Sequence, residues 1–401
     1  MPRVLIVQSR VKRYRLPFFV GLYSALKQDG IDLTVAYSAP NGEHLARADQ
    51  VDLPKEFGRK VKGYWFANRL LYQPLWREIM RSDLLIVGPE NKFLINPSLM
   101  LLSGLGLKRV AFWGLGPNMH PDRLEISEWI KERVLTTVDW WFAYTETVAD
   151  YLRKHGMPAQ RITTVQNATD TRELRRLMDE IDEREIIDAK IGLTGSRDSR
   201  IGLYCGLIGK IKSLPLLLDS ARRVKKIVRN FHLIIVGNGP DRAWLELAIA
   251  NDAWIHYMGS QYGRQSALFY KMADMFLLTG TAGLALVDSF AAGLPVIGTS
   301  LPTHPPEISY LHDGENGLLT AHDPQAYAAA TIELLTDHGL MAKLRRGATA
   351  TGSAYTIEAM IENFRSGIKQ CLALGGPDTL GSAVKQKATG GTMNQRAADM
   401  P

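Results

Sequence analysis

The sequence contains only two cysteines among its 401 residues, Cys205 and Cys371. Two cysteines cannot build a disulfide framework, and neither of them stands at the spacing of a metal-ligand motif. Chains with few cysteines and no such motif are typical of compartments where thiols stay reduced. The sequence therefore predicts a cytosolic protein without a cysteine-based metal site.

Long apolar runs are also missing. The longest apolar stretch, residues 93–107, is interrupted by an asparagine, a proline, two serines and two glycines. It falls short of the roughly 20 apolar residues that a membrane-spanning helix needs. The apolar run 4–7 is too brief for the core of a secretory signal. We therefore expect a cytoplasmic protein whose contact with a membrane is at most peripheral.

Acidic residues are absent from the start of the chain, where Asp29 is the first, and the formal net charge of the whole chain is +7. A basic chain can bind nucleic acid, an anionic membrane or a phosphorylated substrate. The basic residues do not follow the spacing of a known nucleic-acid module, so nucleic acid is not an expected partner. Residues 64–77 interleave aromatic and basic side chains. This stretch is compatible with a segment at a membrane interface or with a helix facing the core.

Short apolar runs alternate with amphipathic helical patterns in both halves of the chain, which is typical of parallel sheets covered by helices on both faces. The first half contains predicted strands at 3–7, 31–37, 84–87, 110–113, 140–144 and 161–166. The second half contains predicted strands at 201–205, 231–236, 255–258, 275–278 and 296–298. The fold class is therefore α/β, with each half built like a doubly wound nucleotide-binding domain.

The same pattern divides the chain into segments. We predict an amino-terminal domain at 1–170, a polar linker at 171–200 and a carboxy-terminal domain at 201–350. A terminal helix at 351–374 is expected to return to the amino-terminal domain. Residues 375–401 lack an apolar face and are rich in small and polar residues, so we expect a disordered tail.

Three turns at predicted strand ends are candidates for phosphate binding. The turn after 275–278 contains Gly280, Thr281 and Gly283 and leads through Leu284 into a helix, whose free N–H groups favour an anion. The glycines can equally serve only a tight turn, with Asp288 a surface residue. The turn 206–213 begins at Gly206 and offers Lys210 and Lys212, although a loop lysine is usually solvated. The turn 237–240, with Gly237 and Gly239, is the third candidate.

Together these segments resemble the retaining glycosyltransferase family 4, the "glycosyl transferases group 1" domain of the GT-B fold. The stretch 283–297 resembles the signature helix of that family, and 231–240 resembles the strand and turn before it. The stretches 306–308 and 313–319 resemble the segments that come after the signature helix. The resemblance implies two Rossmann-like doubly wound domains facing a central cleft, with the acceptor in the amino-terminal domain and a nucleotide sugar in the carboxy-terminal one.

The resemblance assigns roles residue by residue. The Glu-x7-Glu motif of the family falls on Gly280 and Asp288, and Asp288 would accept hydrogen bonds from the ribose hydroxyls. The amides of Gly283 and Leu284 would bind phosphate. Lys212 falls on the diphosphate-binding lysine, where it would stabilise the leaving group. The sequence departs from the family at Gly280, which cannot replace a carboxylate, and at Leu207, which replaces an arginine. Lys210 is a candidate to offset the second change, although it does not stand at the position of the family's arginine.

The acceptor side rests on weaker patterns. Glu90 follows the strand 84–87, where it would orient the acceptor hydroxyl or simply begin a helix. His120, in a loop that also contains Asn118, would contact the donor or the reacting hydroxyl, although such histidines are more often only exposed. Arg10, Lys12, Arg13 and Arg15 lie in the loop after the first strand, and we expect them to bind an acceptor phosphate or anionic headgroups.

The sequence as a whole predicts a metal-independent glycosyltransferase with Lys212, His120 and Glu90 as its catalytic residues. It would move a sugar from a nucleotide-diphosphate sugar to a hydroxyl of a glycan or a lipid-linked acceptor, with retention, in surface polysaccharide biosynthesis. No metal or other cofactor is expected because the Asp-x-Asp motif of GT-A enzymes is missing. Two alternatives remain open: a non-catalytic homologue, suggested by Gly280 and Leu207, and a nucleotide-sugar epimerase of the same fold.

Overall fold

The computed structural model describes residues 1–39, 50–67, 69–116 and 135–374. Asn118, His120 and the tail at 375–401, all of which enter the sequence-based predictions, lie outside these ranges.

The first half of the chain forms a parallel sheet and a separate hairpin. Its strands are β1 (Arg3–Val7), β2 (Asp32–Ser38), β3 (Gly58–Val61), β4 (Tyr64–Phe66), β5 (Leu70–Tyr72), β6 (Leu84–Val87), β7 (Arg109–Gly114), β8 (Trp140–Ala143) and β9 (Ile162–Thr164). Among the residues described, the sheet has the order β3-β2-β1-β6-β7-β8-β9 with every pair parallel. The hairpin pairs β4 with β5 antiparallel.

The α-helices among the described residues of this half are α1 (Leu16–Gln28), α2 (Trp76–Arg81), α3 (Asn96–Gly104) and α4 (Glu146–Lys154). They cover both faces of the sheet, and its central strands are therefore buried on both sides. The core-facing helix expected over 64–77 is wrong, because the stretch forms the hairpin β4–β5 followed by the short helix α2. Its contact with a membrane interface stays a prediction. Aromatic side chains are enriched in strands, and Tyr64 pairs directly with Tyr72 across this hairpin.

The predicted linker is helical, with α5 (Arg172–Asp179) and α6 (Glu183–Thr194). In α5, Leu174, Leu177 and Met178 have the spacing of one helix face, and they pack into the core below the second sheet. The predicted linker is polar on average, yet one face of α5 is apolar and packs into the core.

The second half of the chain repeats the architecture of the first. Its strands are β10 (Arg200–Cys205), β11 (Phe231–Val236), β12 (Ile255–Tyr257), β13 (Met275–Leu278), β14 (Val296–Thr299) and β15 (Gly317–Thr320). Its helices are α7 (Leu214–Ile227), α8 (Arg242–Ala248), α9 (Gly263–Met272), α10 (Ala285–Ala291), α11 (Pro324–Thr336) and α12 (His338–Ala354). The strands form a parallel sheet with the order β12-β11-β10-β13-β14-β15.

The last described helix, α13 (Ile357–Ala373), packs on α1 and on β8 and β9 of the first half. Phe364 is fully buried there and stacks on Phe142 with ring centroids 4.5 Å apart. On the helix surface, Arg365 donates to both carboxylate oxygens of Asp29 at 2.6 and 2.7 Å. Helix α13 is thereby fixed to the amino-terminal half.

We expect Phe364→Ala to lower the free energy of unfolding by about 3–5 kcal/mol, because it removes a large buried ring and leaves a cavity. Urea unfolding followed by circular dichroism measures this change. Phe66→Ala is the matched control, since Phe66 is 53% exposed. Equal stability of the two variants would contradict the docking of α13.

Strand order determines where ligands can bind. In each sheet the order in which successive strands are added reverses at one point. This point lies between β1 and β6 in the first sheet and between β10 and β13 in the second. Crevices at the carboxyl ends of parallel strands open at such switch points. The segments 8–15 and 88–95 therefore border one crevice, and 206–213 and 279–284 border the other.

Candidate functional site

The crevice of the second sheet contains a lysine held against the start of a helix. Lys212 is half-buried, and its Nζ donates to the carbonyl oxygen of Thr281 at 2.6 Å. Burial lowers the pKa of the Lys212 ammonium from its usual value. An ammonium has three donors, and a single acceptor is found for Lys212 among the described residues, so two protons remain available to a ligand.

The start of α10 offers further donors beside this ammonium. A Cβ placed on Gly283 would lie 3.6 Å from Lys212 Nζ, so the two groups face the same small space. The N–H groups of Gly283 and Leu284 have no hydrogen-bond acceptor in the portion of the chain that the structure describes. Unpaired helix-start amides next to a cation form a site for an anion.

Gly280 does not face this space. It is buried, and a Cβ at this position would lie 2.3 Å from both Cα and the carbonyl carbon of Lys212. The turn that carries the lysine packs directly on this glycine, and the Thr281 N–H donates to Ile211 O at 2.9 Å across the same contact. The glycine thus seats the lysine turn, and this backbone leaves no room for the glutamate of the related family.

The other glycines of the predicted site bring two turns together. Gly237 has a φ of 138°, and a Cβ on it would lie 1.8 Å from the carbonyl oxygen of Gly206. A Cβ on Gly239 would lie 2.2 Å from the carbonyl oxygen of Ile208. Both positions require glycine because two backbones approach closely. The structure therefore gives Gly206, Gly237 and Gly239 a packing role in the wall of the crevice.

The second lysine of this turn, Lys210, lies outside the crevice. Lys210 is exposed and lines a separate cavity with Trp244 and His322, about 590 Å3 in volume. Leu207 is 37% exposed and brings no charge to the crevice. Lys210 therefore does not take the place of the missing arginine, contrary to the expectation from the sequence.

Asp288 lies in α10, more than one turn after the anion site. Its Oδ1 accepts from the Oγ1 of Thr169 at 3.0 Å, so a residue of the segment between the sheets contacts it. Burial raises the pKa of Asp288 to about 6, and the hydrogen bond from Thr169 opposes that increase. The second carboxylate oxygen remains available to a ligand hydroxyl.

The raised pKa predicts opposite pH effects on stability and on binding. The Asp288 carboxyl has an ordinary pKa of 3.8 in the unfolded chain and a pKa of about 6 in the folded protein. Between these two pH values the folded protein binds the proton and the unfolded chain does not, so the free energy of unfolding falls as pH rises through this window. We expect Asp288→Asn to be more stable than the wild type at pH 8 and to lose this advantage near pH 4. Nucleotide binding should instead weaken as pH falls below about 6, because a protonated carboxyl is a poorer acceptor.

Melting temperatures and nucleotide titrations across this pH range test both effects. Asp198→Asn serves as the control, since the Asp198 side chain is 85% exposed. A stability difference that does not change with pH would show that Asp288 is ionised normally.

A buried histidine that the sequence does not single out supports the same loop. His304 Nδ1 accepts from the Ala282 N–H at 3.0 Å, and its Nε2 lies 2.6 Å from the carbonyl oxygen of Thr299. These partners require the neutral tautomer with the proton on Nε2. Burial also lowers the pKa of His304. His304 thereby fixes the loop before Gly283, and no local pattern around 304 signals this role.

A chain of hydrogen bonds connects the two halves beneath the crevices. Asn167 accepts from Arg15 Nη2 at 2.6 Å and donates to Glu307 Oε1 at 2.6 Å. The hydroxyl of Tyr310 donates to the Asn167 carbonyl oxygen at 3.1 Å. Arg15 is therefore buried at the contact between the halves, which excludes the direct contact with a membrane that the sequence suggested for it.

The crevice of the first sheet forms a pocket of about 430 Å3, here called the amino-side pocket. Its cations are Arg10, Lys12, Arg15, Arg69 and Lys92. Its aromatic residues are Tyr14, Phe19, Trp65, Phe93, Trp113 and Tyr144. Glu90 lies at its mouth, 53% exposed and paired with Lys92 at 3.4 Å. Arg13 is exposed and is not among the lining residues.

The described residues contain no cluster of three or more histidine, cysteine or carboxylate side chains that could hold a metal ion. Among the same residues, no helix is both long enough and apolar enough to cross a membrane.

Comparison with known proteins identifies relatives of the second half. Residues 199–337 match the family model "Glycosyl transferases group 1". The alpha-monoglucosyldiacylglycerol synthase of Acholeplasma laidlawii is 30% identical over 135 residues, which cover 32% of this chain and 33% of that protein. The phosphatidyl-myo-inositol mannosyltransferase of Mycobacterium leprae is 30% identical over 129 residues, 31% of this chain and 34% of that protein. The matches thus span about a third of the length of these relatives.

Solved structures resemble the chain over nearly its whole length. The Anabaena protein HepE in complex with UDP superimposes with a TM-score of 0.66 at 14% identity, covering 92% of this chain and 100% of that one. A glycosyltransferase from Rickettsia africae gives a TM-score of 0.68 at 14% identity, with coverage of 93% and 99%. At this level of identity the likeness concerns the fold, and it confirms the predicted GT-B architecture.

Proposed function

Because residues 199–337 belong to the glycosyl transferases group 1 family, we propose that this protein transfers a sugar from a nucleotide-diphosphate sugar to a hydroxyl of a glycan or lipid-linked acceptor. The observation that carries the proposal is the position of the Lys212 ammonium. It lies at the switch point of the second sheet, beside the unpaired amides at the start of α10.

The proposed donor site is built on these contacts. The diphosphate lies between Lys212 Nζ and the N–H groups of Gly283 and Leu284. The ribose lies further along α10, where its hydroxyls donate to Asp288. HepE, which has the same fold, is known in complex with UDP, and this supports a nucleoside diphosphate as the ligand of this crevice.

The proposed reaction breaks the bond between the anomeric carbon and the phosphate oxygen of the donor. Lys212 and the helix-start amides stabilise the negative charge that develops on the departing diphosphate. The acceptor hydroxyl attacks the face from which the nucleotide leaves, so the anomeric configuration is retained. The departing phosphate takes the proton of that hydroxyl. Because Lys212 and the helix-start amides stabilise the charge of the leaving diphosphate, the proposed reaction needs no metal ion.

The amino-side pocket is the proposed acceptor site, since it opens at the switch point of the opposite sheet. Glu90 stands at its mouth, where it can orient the acceptor hydroxyl. With a lipid-linked acceptor the enzyme would work at the inner face of the cytoplasmic membrane, in the assembly of surface polysaccharides.

A thermal-shift screen against UDP, GDP and ADP sugars tests the donor site, and analysis of the products then tests the reaction. The proposal requires stabilisation by one nucleotide class and the formation of a glycosylated acceptor. Conversion of the donor sugar without an acceptor would instead indicate an epimerase. Nucleotide binding with no sugar release would indicate the non-catalytic homologue that Gly280 and Leu207 suggest.

A further inference from the structure

The charge of the amino-side pocket is strongly unbalanced. Besides Arg10, which has a contact of its own, four cations line it, namely Lys12, Arg15, Arg69 and Lys92, whereas Glu90 is its single lining carboxylate among the described residues and is already paired with Lys92. Like charges that converge on one concave space repel each other unless a ligand neutralises them. The composition of the lining therefore favours an anionic ligand.

One of these cations, Arg15, is buried without a carboxylate partner in the part of the chain that the structure describes. Arg15 is 7% exposed, and its guanidinium donates to an amide oxygen of Asn167 and to the sulfur of Met360. The guanidinium also lies over the ring of Trp113, 5.2 Å from the centroid. Burying a charge is costly unless an opposite charge approaches it. The nearest opposite charge in the hydrogen-bond chain, Glu307, reaches it only through the amide of Asn167.

The pocket also contains two buried donors without acceptors. The Nε1 atoms of Trp65 and Trp113 are inaccessible to solvent and have no hydrogen-bond partner among the described residues, and other atoms of both tryptophans line the pocket. An indole N–H can only donate. Buried donors normally find an acceptor, and an unpaired one calls for an explanation such as a missing ligand.

Part of this lining comes from an element that does not belong to the central sheet. Trp65 lies in β4, and Arg69 lies in the turn between β4 and β5. The backbone of Leu71 pairs with Lys92 and Leu94 at 2.7 and 3.0 Å, so the hairpin is fixed to the segment that carries Lys92. Arg69 and Lys92 are therefore held on two joined segments at the same side of the pocket.

We propose that the amino-side pocket binds a phosphate ester of the acceptor, and that Arg69 and Lys92 determine this specificity. The inference relies on the proposed function only in calling the ligand an acceptor. A phosphate monoester carries close to two negative charges and three acceptor oxygens, which matches several converging cations better than a carboxylate does. The aromatic lining accommodates the group that the phosphate substitutes.

Isothermal titration with inorganic pyrophosphate separates this pocket from the donor site. We expect two binding events in the wild type, of which only the donor-site event weakens in Lys212→Ala, because this variant retains the amino-side pocket. In Arg69→Gln/Lys92→Gln the donor event remains, and the dissociation constant of the other rises at least about tenfold, equivalent to about 1.4 kcal/mol. Lys92→Gln alone should give a smaller loss, and it remains informative if the double variant does not fold.

Lys226→Gln/Arg229→Gln is the matched control, because it removes two exposed charges from the other half of the chain. Unchanged binding in Arg69→Gln/Lys92→Gln, or an equal loss in the control, would overturn the inference. If Lys212→Ala binds like the wild type while the pocket variant loses one event, the inference stands and the proposed donor site is wrong.

The phosphate can come from a soluble ester or from a lipid headgroup, and two further arms distinguish them. Glycerol 3-phosphate competes with pyrophosphate for the pocket if a soluble ester fits. Vesicles that contain phosphatidic acid, whose headgroup is a phosphate monoester, sediment the wild type and not the pocket variant if a headgroup enters, whereas vesicles of phosphatidylcholine sediment neither. A response in either arm that depends on Arg69 and Lys92 supports the proposal, and its absence from both contradicts it.

Discussion

Lys212→Ala is expected to reduce turnover by at least about tenfold and by as much as about 10³-fold, since removing one group that stabilises developing charge typically costs about 10²–10³ in kcat. The ammonium is half-buried and keeps two free protons, so the diphosphate would lose its charged partner in the crevice. Because this charge matters most as the bond to the sugar breaks, kcat should fall more than nucleotide affinity. Steady-state release of the nucleoside diphosphate measures the first quantity, and calorimetric titration measures the second.

Lys210→Ala provides a control two residues away. Lys210 is exposed and lines a different cavity, so its loss removes the same charge without touching the proposed donor site. We expect its turnover to stay close to that of the wild type, and circular dichroism shows whether both variants fold. If the two substitutions reduce turnover equally, the effect comes from net charge, and Lys212 has no specific role.

Gly280→Ala is expected to disrupt the proposed donor site by displacing the backbone of the turn that carries Lys212. The added methyl group would lie 2.3 Å from backbone atoms of Lys212, which cannot rotate away as a side chain would. Overpacking of this kind typically costs about 1–3 kcal/mol, and here the turn that carries the lysine must move. We therefore expect a lower melting temperature and at least a tenfold loss of nucleotide affinity, which thermal and calorimetric titrations measure.

Two further variants sharpen this experiment. Gly104→Ala adds a methyl group where no heavy atom lies within 4 Å, so stability should stay unchanged or rise slightly. Gly280→Glu restores the carboxylate of the related family, yet we expect it to be worse than Gly280→Ala for the same steric reason. A glutamate variant with improved activity would show that the turn adapts, and that the glycine is simply a lost catalytic group.

The β4–β5 hairpin is an element that the sequence did not predict. Residues 64–77 contain aromatic and basic residues in a mixture that fits an amphipathic helix, an interfacial segment or a strand. The pairing of Tyr64–Phe66 with Leu70–Tyr72 decides the outcome, and short apolar runs do not distinguish strands from helices by periodicity alone. The role of Arg69 in the amino-side pocket depends entirely on that pairing.

Gly280 illustrates a different limit. The sequence places it at the position of a carboxylate in the related family, which indicates that a catalytic side chain has been lost. The structure shows a contact with Lys212, 68 positions earlier in the chain, that excludes any side chain. Whether a glycine reflects lost chemistry or close packing depends on what approaches its α-carbon, and the sequence does not contain that information.

The sequence by itself determined the two parallel sheets, since buried strands appear as short apolar runs between amphipathic helices. It also located the lysine turn and the start of α10, because strand ends and helix starts have local signals. Only the tertiary structure decided how distant segments meet: Arg15 with Asn167, 152 positions apart, Thr169 with Asp288, and His304 with the loop before Gly283. Such contacts depend on the packing of whole domains, and no local pattern of residues encodes them.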